Sequence, residues 1–333
     1  MSVPDASVVH IAGPWTHRAV AANGARFHVA ELGEGPLVLL LHGFPEFWWA
    51  WRHQIVALAA AGYRAVAMDL RGYGASDKPP RGYDPFTLSG DIAAVIKSLG
   101  ERDAVVAGHD WGAYLGWSLG VSHPGVLRGL VAVSMPHPRR LRRTLIMERR
   151  QIEAASLILA LQLPWLPERR LVDDDGEYVG RLLHAWSAPG WPDEETVARY
   201  REAVQIPGVA HCAAEYFRWT MRSLPRPDGV RFAHRMRRPI AAPVLHLHGR
   251  LDPWMLPASA QGSGQYVEGT YHWRLFDDAG HFPHEEVPDA VTTELLGFLD
   301  SLPNDPLANG SPRRRSASRP RPAPKAPSPD RLG

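Results

Sequence analysis

The stretch Gly108-His109-Asp110-Trp111-Gly112 is the feature that most constrains how this chain can fold. It directly follows the apolar run 104–107, and the segment 113–122 behind it has helical spacing. Small residues on both sides of a reactive one permit the strained strand-to-helix turn called a nucleophile elbow. The sequence therefore predicts a strand, a sharp turn that presents the Asp110 carboxylate, and a helix that starts at once.

An aspartate at the centre of this turn, where serine is usual, has a mechanistic consequence. A hydroxyl must lose its proton as it attacks, whereas a carboxylate with an ordinary pKa of about 3.9 is already ionised at neutral pH. Asp110 is therefore suited to displacement at a saturated carbon, which leaves an alkyl ester on the protein. The alternative is an incidental Gly-Asp-Gly turn, but the strand–turn–helix context favours the elbow.

Short apolar runs alternate with helical patterns along most of the chain, which is typical of βαβ units around a mostly parallel sheet. The run 37–41 is continuously apolar, as expected for a strand covered on both faces. Helical periodicity is found at 88–99 and again from about 290 to 302. Besides 104–107, strands are predicted at Leu37–Leu41, Tyr63–Leu70, Leu127–Val133, Pro243–His248 and Thr270–Phe276.

Residues 138–238 interrupt this alternation with a segment rich in Arg, Trp, Leu and Glu that has helical spacing and little strand character. A helical insertion between two strands of one sheet usually lies over the edge where such folds bind ligands, so we interpret it as a lid. From residue 303 onward the chain is rich in Pro, Arg and Ser and has too few apolar residues to order itself. We therefore expect a core at 1–137 and 239–302, a lid at 138–238, and a disordered, solvated tail at 303–333.

The other members of the predicted site follow in the chain order nucleophile, acid, histidine. Asp252 comes directly after the strand at 243–248, and His281 lies in the loop after the last strand. His281 would activate a water, and Asp252 would fix the tautomer of His281 and stabilise its imidazolium. Asp277 and Asp278 are rival carboxylates, but they lie too near His281 in sequence to fit this pattern as well.

The turn His42-Gly43-Phe44-Pro45 ends the first buried strand. It would present the backbone N–H of Phe44 beside that of Trp111, the residue after the predicted nucleophile. Two such donors form an oxyanion hole for the intermediate of ester hydrolysis.

Bulk composition excludes several classes of function. A formal charge of +2 gives no reason to expect a nucleic-acid partner, and no cluster of residues suggests a metal site. The single cysteine, Cys212, fits a reducing compartment, and the N-terminus lacks the pattern of a signal peptide. No apolar run reaches the roughly 20 residues that a membrane span needs. A cytoplasmic protein without a membrane span is expected; the oligomeric state is not predicted.

Together these stretches resemble the epoxide hydrolase branch of the α/β-hydrolase superfamily, most closely its actinobacterial members. The resemblance implies an α/β-hydrolase fold, with a mostly parallel central sheet flanked by helices and a helical lid. It also implies an enzyme that hydrolyses a small-molecule substrate, an apolar epoxide, to a vicinal diol without metal or organic cofactor. The matching residues are His42-Gly-Phe-Pro-Glu46 with Trp48, Trp51 and Arg52, then Asp69 to Pro79, Gly108 to Ala113, and Gly280 to Glu286.

One departure from the family concerns the lid. The family usually places two lid tyrosines over the nucleophile, where they protonate the leaving alkoxide. Here the segment 153–163 has no tyrosine, and the second position falls on Phe217 or, with a one-residue slip, on Tyr216. We take Tyr216 as the expected acid, and His42, Tyr200 and Phe217 as expected substrate-binding residues.

Dehalogenation, ester hydrolysis and non-catalytic ligand binding are the alternative functions. Haloalkane dehalogenases share the nucleophilic Asp, the His and its carboxylate partner, and they need no proton donor for the leaving group. They typically have Asn where Phe44 stands. Fluoroacetate dehalogenases share the Phe but usually carry Arg at the position of Trp111. Ester hydrolysis ranks lower, because a carboxylate that attacks an acyl group gives an anhydride. A non-catalytic ligand-binding homologue is the alternative outside the enzymes.

Overall fold

An eight-stranded sheet forms the centre of the computed structural model, which describes residues 4–303. Its strand order is β1-β2-β4-β3-β5-β6-β7-β8, and all pairs from β4 to β8 are parallel. The predicted fold class, a mostly parallel sheet flanked by helices, is confirmed. The strands are β1 Thr16–Ala22, β2 Ala25–Leu32, β3 Leu37–Leu41, β4 Arg64–Met68, β5 Ala104–His109, β6 Leu127–Val133, β7 Val244–Gly249 and β8 Tyr271–Phe276.

Every strand predicted from the sequence is present, with ends that differ by at most two residues. All residues of β3, β5 and β7 are buried, as expected for strands covered on both faces. The antiparallel hairpin of β1 and β2 was not predicted, although its turn has a recognisable sequence. Asn23 and Gly24 have φ values of 46° and 75°, and two-residue hairpin turns favour Asn-Gly because they need positive φ at both positions.

Thirteen α-helices lie within the described residues, and seven of them, α4 to α10, come between β6 and β7 without an intervening strand. These seven occupy the stretch predicted to be a lid. The predicted tail lies outside the described residues, apart from Pro303. The helices are α1 Arg52–Ala60, α2 Pro85–Ser98, α3 Trp111–Ser122, α4 Pro138–Met147, α5 Arg149–Ala154, α6 Ser156–Ala160, α7 Leu166–Trp186, α8 Glu194–Val204, α9 Val209–Arg222, α10 Pro227–Arg235, α11 Pro257–Gln261, α12 Pro283–Glu286 and α13 Pro288–Ser301.

None of the helices in residues 4–303 is both long and apolar enough to cross a membrane. The longest, α7, is interrupted by non-helical backbone at 173–176.

Helix α3 begins in direct contact with the end of β3, and glycine is what permits this approach. A Cβ on Gly112 would lie 2.2 Å from the carbonyl oxygen of Leu41, and a Cβ on Gly108 would lie 2.3 Å from the carbonyl carbon of Gly112. Real Cβ atoms do not come this close to backbone, so a side chain at either position would push α3 away from the sheet.

We expect Gly112→Ala to destabilise the protein by at least about 2 kcal/mol, because the added methyl clashes with backbone that cannot move aside. Gly297→Ala is the matched control. Gly297 lies on an exposed position of α13, and a Cβ there meets nothing within 4 Å. That change is expected to stabilise the protein by about 0.5–1 kcal/mol through helix propensity. Urea unfolding measures both, and equal effects would contradict the packing argument.

Candidate active site

Asp110 lies on the turn between β5 and α3 in a strained conformation, with φ 44° and ψ −111°. Two backbone hydrogen bonds hold the turn against the neighbouring strands. The Asp110 N–H donates to the carbonyl of Val133 at 3.1 Å, and the Gly112 N–H donates to that of His42 at 3.1 Å. Non-glycine residues with positive φ are uncommon and cluster at functional sites. The structure thus places Asp110 on the elbow that the sequence predicts.

The Asp110 carboxylate is buried and faces two backbone amides. The N–H of Phe44 donates to its Oδ2 at 3.0 Å, and the N–H of Trp111 also acts as a donor to the carboxylate. Burial raises the pKa of Asp110, whereas the neighbouring His281 and the two amides lower it. The structure therefore brings together the two donors that were predicted to form an oxyanion hole.

His281 and Asp252 meet beside this carboxylate. The Nδ1 atom of His281 lies 2.8 Å from Oδ2 of Asp252, and its Nε2 lies 4.0 Å from Oδ1 of Asp110. Nε2 has no hydrogen-bond partner among residues 4–303. Asp252 is held in turn by the N–H groups of Trp254 and Met255, which donate to its Oδ1 at 2.9 and 2.8 Å. The rival carboxylate of Asp277 instead pairs with Arg250, a surface residue.

Burial shifts the pKa values of this pair in opposite directions. It lowers the pKa of His281 to about 3 and raises the pKa of Asp252 to about 7. Both shifts disfavour the charged form, because a charge loses its hydration in the interior. Around neutral pH the site therefore holds His281 unprotonated, with the lone pair of Nε2 directed towards Asp110.

The loops after β7 and β8 approach each other closely enough to bring the acid and the histidine together. The Leu251 N–H donates to the carbonyl of Ala279 at 2.9 Å. A Cβ on Gly249 would lie 1.9 Å from the carbonyl oxygen of Gly280. The absence of a side chain at Gly249 thus lets Asp252 reach a partner that lies 29 positions later in the chain.

A cavity of about 230 Å³ opens beside Asp110 and Trp111. Most of its other lining residues belong to the helices inserted between β6 and β7, chiefly α4, α9 and α10, and most of these are apolar. Asp110 is the only acidic residue in the lining. The lining residues include Tyr114, Arg139, Arg142, Ile146, Ile158, Phe217, Trp219 and Leu224.

Comparison with known proteins identifies the family of the chain. The model of the alpha/beta hydrolase family matches residues 38–294. The chain belongs to the α/β-hydrolase family. It is 32% identical over 321 residues to epoxide hydrolase A of Mycobacterium tuberculosis, covering 87% of this chain and 99% of that one. It is 33% identical over 287 residues to the AB hydrolase superfamily protein YfhM of Bacillus subtilis, covering 84% and 96%.

A solved structure supports the same branch of the family. A point mutant of an epoxide hydrolase from Bacillus megaterium, complexed with its diol product, matches with a TM-score of 0.76 and 27% identity. The match covers 85% of this chain and all of that one. The resemblance to epoxide hydrolases inferred from the sequence is therefore confirmed, and this α/β-hydrolase is an enzyme with epoxide hydrolases among its relatives.

The two tyrosines expected from the sequence do not reach the cavity of this α/β-hydrolase. The hydroxyl of Tyr216 donates to the backbone carbonyl of Arg71 at 2.8 Å, and the hydroxyl of Tyr200 donates to Glu285. Both side chains are fully buried, and neither lines the cavity. The expectation of a Tyr216 hydroxyl over Asp110 and of substrate contact by Tyr200 is corrected accordingly.

His42 is also turned away from the cavity, which corrects its expected role in substrate binding. Its Nε2 accepts a hydrogen bond from the Leu70 N–H at 3.0 Å, so its Nδ1–H donates to the Gly43 carbonyl at 2.8 Å. Phe217, by contrast, lies where it was expected. It lines the cavity, and its ring packs edge-on against Trp111 with centroids 5.0 Å apart.

Tyr114 is the only tyrosine in the cavity lining, and the sequence analysis did not single it out. It lies one helical turn after Asp110 on α3, and its ring packs against Trp111 with centroids 5.2 Å apart. Within residues 4–303 its hydroxyl forms no hydrogen bond. Burial raises its pKa, so the hydroxyl keeps its proton at neutral pH. The spacing of four from Asp110 was the available sequence signal, because such residues share a helix face.

Behind His281 lies a fully buried cluster of Glu46, His109 and His284. His109 Nδ1 lies 2.8 Å from Glu46 Oε2, His284 Nε2 lies 3.2 Å from Glu46 Oε1, and His109 Nε2 contacts the carbonyl of His281 at 2.8 Å. Their potential ligand atoms all lie within 4.8 Å of one another, which makes this the only candidate metal cluster in the described part of the chain. Since Glu46 and His109 already pair with each other and His109 contacts the His281 carbonyl, we interpret the cluster as a support for the His281 loop.

The Glu46→Gln variant tests this interpretation through the pH dependence of the free energy of unfolding. Burial alone would lower the pKa of His109, but the Glu46 carboxylate outweighs it and raises that pKa to about 9. A raised folded-state pKa gives stability that is complete below the unfolded pKa of about 6.5 and lost as the pH rises through about 9. Removing the carboxylate should lower the free energy of unfolding by about 3 kcal/mol at pH 6.5. The native protein should lose about 3 kcal/mol of stability between pH 6.5 and 9, and the variant should not show this loss.

Urea unfolding at pH 6.5 and pH 9 measures both effects. Glu101→Gln is the control, because Glu101 forms only a half-exposed ion pair with Arg64 and should change the free energy of unfolding by less than about 1 kcal/mol. An unchanged pH dependence in Glu46→Gln would contradict the pairing of His109 with Glu46.

Proposed function

We propose that this cytoplasmic α/β-hydrolase opens epoxides to vicinal diols through an ester on Asp110. The observation that carries the proposal is a buried carboxylate beside an apolar cavity, with an unprotonated His281 Nε2 4.0 Å from its Oδ1. The epoxide hydrolases among its relatives support the same reaction.

In the first step Oδ1 of Asp110 attacks a ring carbon of the epoxide. The C–O bond of the ring breaks, its oxygen takes a proton, and an alkyl ester forms. Oδ2 becomes the carbonyl oxygen of that ester, because it already accepts the Phe44 N–H. The apolar lining holds the substrate and excludes bulk water from the reacting carbon.

In the second step His281 takes a proton from a water, which attacks the carbonyl carbon of the ester. The negative charge that develops on Oδ2 meets the N–H groups of Phe44 and Trp111, which are in place before the reaction starts. Collapse of this intermediate passes its hydroxyl proton to the departing alkoxide, which releases the diol and restores the carboxylate, and the proton held by His281 returns to the group that protonated the ring oxygen. Asp252 stabilises the imidazolium of His281 through the Nδ1 contact of 2.8 Å.

Tyr114 is the group we assign as the proton donor to the ring oxygen. It is the only tyrosine in the lining, its hydroxyl is protonated at neutral pH, and it has no competing partner within residues 4–303. The buried indole N–H groups of Trp111 and Trp219 also lack partners within that range, and both residues line the same cavity. Each can hydrogen-bond an oxygen that comes within reach but cannot protonate it.

The lack of a partner for these two indole N–H groups also favours a second candidate function, haloalkane dehalogenation. A departing halide needs hydrogen-bond donors and no acid, and Trp111 and Trp219 can supply them, because both residues line the apolar cavity and their buried indole N–H groups have no partner in the described chain. Both reactions use the same nucleophile, so they are separated by what remains on Asp110 after the first step.

We expect His281→Gln to form the ester and stop there, because glutamine cannot deprotonate the water. The purified variant is exposed separately to terminal epoxides and to haloalkanes and weighed intact, and the adduct is located by peptide mapping. A mass gain equal to the whole epoxide, on Asp110, supports epoxide opening. A gain equal to the alkyl group without its halide supports dehalogenation instead.

The control is the double variant Asp110→Ala with His281→Gln, which should form no adduct. In the otherwise native chain, Asp110→Ala should abolish turnover. Full activity in Asp110→Ala would refute the proposal, and so would an adduct on another residue.

Tyr114→Phe should lower epoxide turnover by about 100-fold, in the range typical of a lost general acid, with a smaller change in KM. Tyr216→Phe is the matched control. It also removes one buried hydroxyl, but that hydroxyl bonds the Arg71 carbonyl, so its effect should fall on stability, by about 1 kcal/mol, and not on kcat. Steady-state kinetics and urea unfolding measure the pair. A larger loss of kcat in Tyr216→Phe would instead assign the role of proton donor to Tyr216.

A further inference from the structure

Exposed apolar side chains are concentrated in the segment inserted between β6 and β7, on its helices and on the turns between them. Ten of the twelve large hydrophobic residues that are strongly exposed in the described chain lie between 146 and 230, and the other two are Val56 and Leu251. Trp165 is 79% exposed, Met147 70% and Ile146 65%. Single exposed apolar residues are normal on a protein surface, but such a concentration marks an interaction site.

The same region is strongly basic. Residues 139–153 contain six arginines and two glutamates, a net charge of +4. The two glutamates pair with Arg140 and Arg149. Arg142, Arg143 and Arg150 are exposed and form no ion pair with any residue of the described chain. Cationic groups beside exposed apolar ones are the combination that binds the surface of an anionic membrane.

This surface leads directly into the cavity. Ile146 and Leu224 are strongly exposed and also belong to the cavity lining, as does Arg142. Ile158, another lining residue, is followed within eight positions by the exposed Leu159, Leu163 and Trp165. The mouth of the cavity is therefore bordered by Ile146, Leu224 and Arg142, and the other exposed groups follow close to lining residues in the chain.

We propose that the lid face, defined as Ile146, Met147, Leu159, Leu163 and Trp165 with Arg142, Arg143 and Arg150, docks on the surface of an anionic bilayer. The arginines attract the headgroups, and the apolar side chains enter the boundary between headgroups and acyl chains. The cavity mouth then faces the lipid. If the chain hydrolyses apolar epoxides as proposed above, it meets them where they are dissolved, although docking itself does not depend on that activity.

Two other occupants of the lid face fit its charge less well. A second copy would bring two surfaces of net charge +4 against each other, and like charges in contact oppose association. The C-terminal segment 304–333 has the same sign, with Arg313, Arg314, Arg315, Arg319, Arg321 and Lys325. An anionic bilayer complements both the charge and the apolar character of this face.

Vesicle sedimentation with the full chain tests the proposal. The probes are phosphatidylcholine vesicles with about 30% phosphatidylglycerol and vesicles of phosphatidylcholine alone. We expect the chain to sediment with the anionic vesicles and much less with the neutral ones. Raised salt should weaken binding without abolishing it, because it screens the arginines but not the apolar contacts.

Three variants locate the binding surface. Met147→Glu with Trp165→Glu should lower the fraction bound at least about fivefold, and Arg143→Glu with Arg150→Glu should lower it by a similar factor. Val56→Glu is the control, since Val56 is 45% exposed but lies on α1, outside the lid face, and its variant should bind like the native chain. All four changed positions of the lid-face variants are exposed and lie outside the cavity lining, so thermal unfolding should be unchanged.

Several outcomes would overturn the proposal. No sedimentation of the native chain with anionic vesicles would do so. Undiminished binding of both double variants would assign the effect to another basic segment, such as the C-terminal one. A native dimer that Met147→Glu with Trp165→Glu converts to a monomer, without lipid binding, would make the face an interface between copies. Because binding is measured without substrate, each result is independent of whether the chain hydrolyses epoxides.

Discussion

The contact between the Asp110 turn and the end of β3 is the constraint on which the site depends. A Cβ on Gly43 would lie 2.5 Å from the Cβ of Asp110, so the two turns meet only because Gly43 has no side chain. This closeness brings the Phe44 N–H to 3.0 Å from the carboxylate. It also fixes where β5 ends and α3 begins, and therefore where Trp111 and Tyr114 enter the cavity.

Burial is the main cause of the pKa shifts around this contact. It raises the pKa of Asp110 and Asp252 and lowers that of His281, because burial disfavours the charged form of each group relative to water. Hydrogen bonds from fixed backbone N–H groups offset the cost at both carboxylates. The interior thus keeps His281 unprotonated while it holds a carboxylate 4.0 Å away.

The strands and the residues grouped around Asp110 could be predicted because both depend on local pattern and chain order. The positions of the lid tyrosines could not. A shift of one residue along α9 turns a side chain by about 100°, and whether position 216 or 217 faces the cavity depends on long-range packing. Phe217 faces it, and Tyr216 finds the carbonyl of Arg71, 145 positions earlier. Tyr114 lies on α3, outside the segment 138–238 in which the family resemblance places the tyrosines, although its spacing of four from Asp110 is visible in the sequence.

The hydroxyls of Tyr216 and Tyr200 connect the inserted helices α9 and α8 to the core, at Arg71 and at Glu285. Swinging these helices outward as a rigid flap would break two buried hydrogen bonds and expose two large aromatic rings. The segment 139–163 contains no tyrosine, and its attachment to the core is made instead by the buried Gln151, which donates to the Trp254 carbonyl and accepts from the Leu256 N–H. Helices α8 and α9 are thus tied to the core at two points outside the cavity, which holds the lining residue Phe217 at a fixed place beside Trp111.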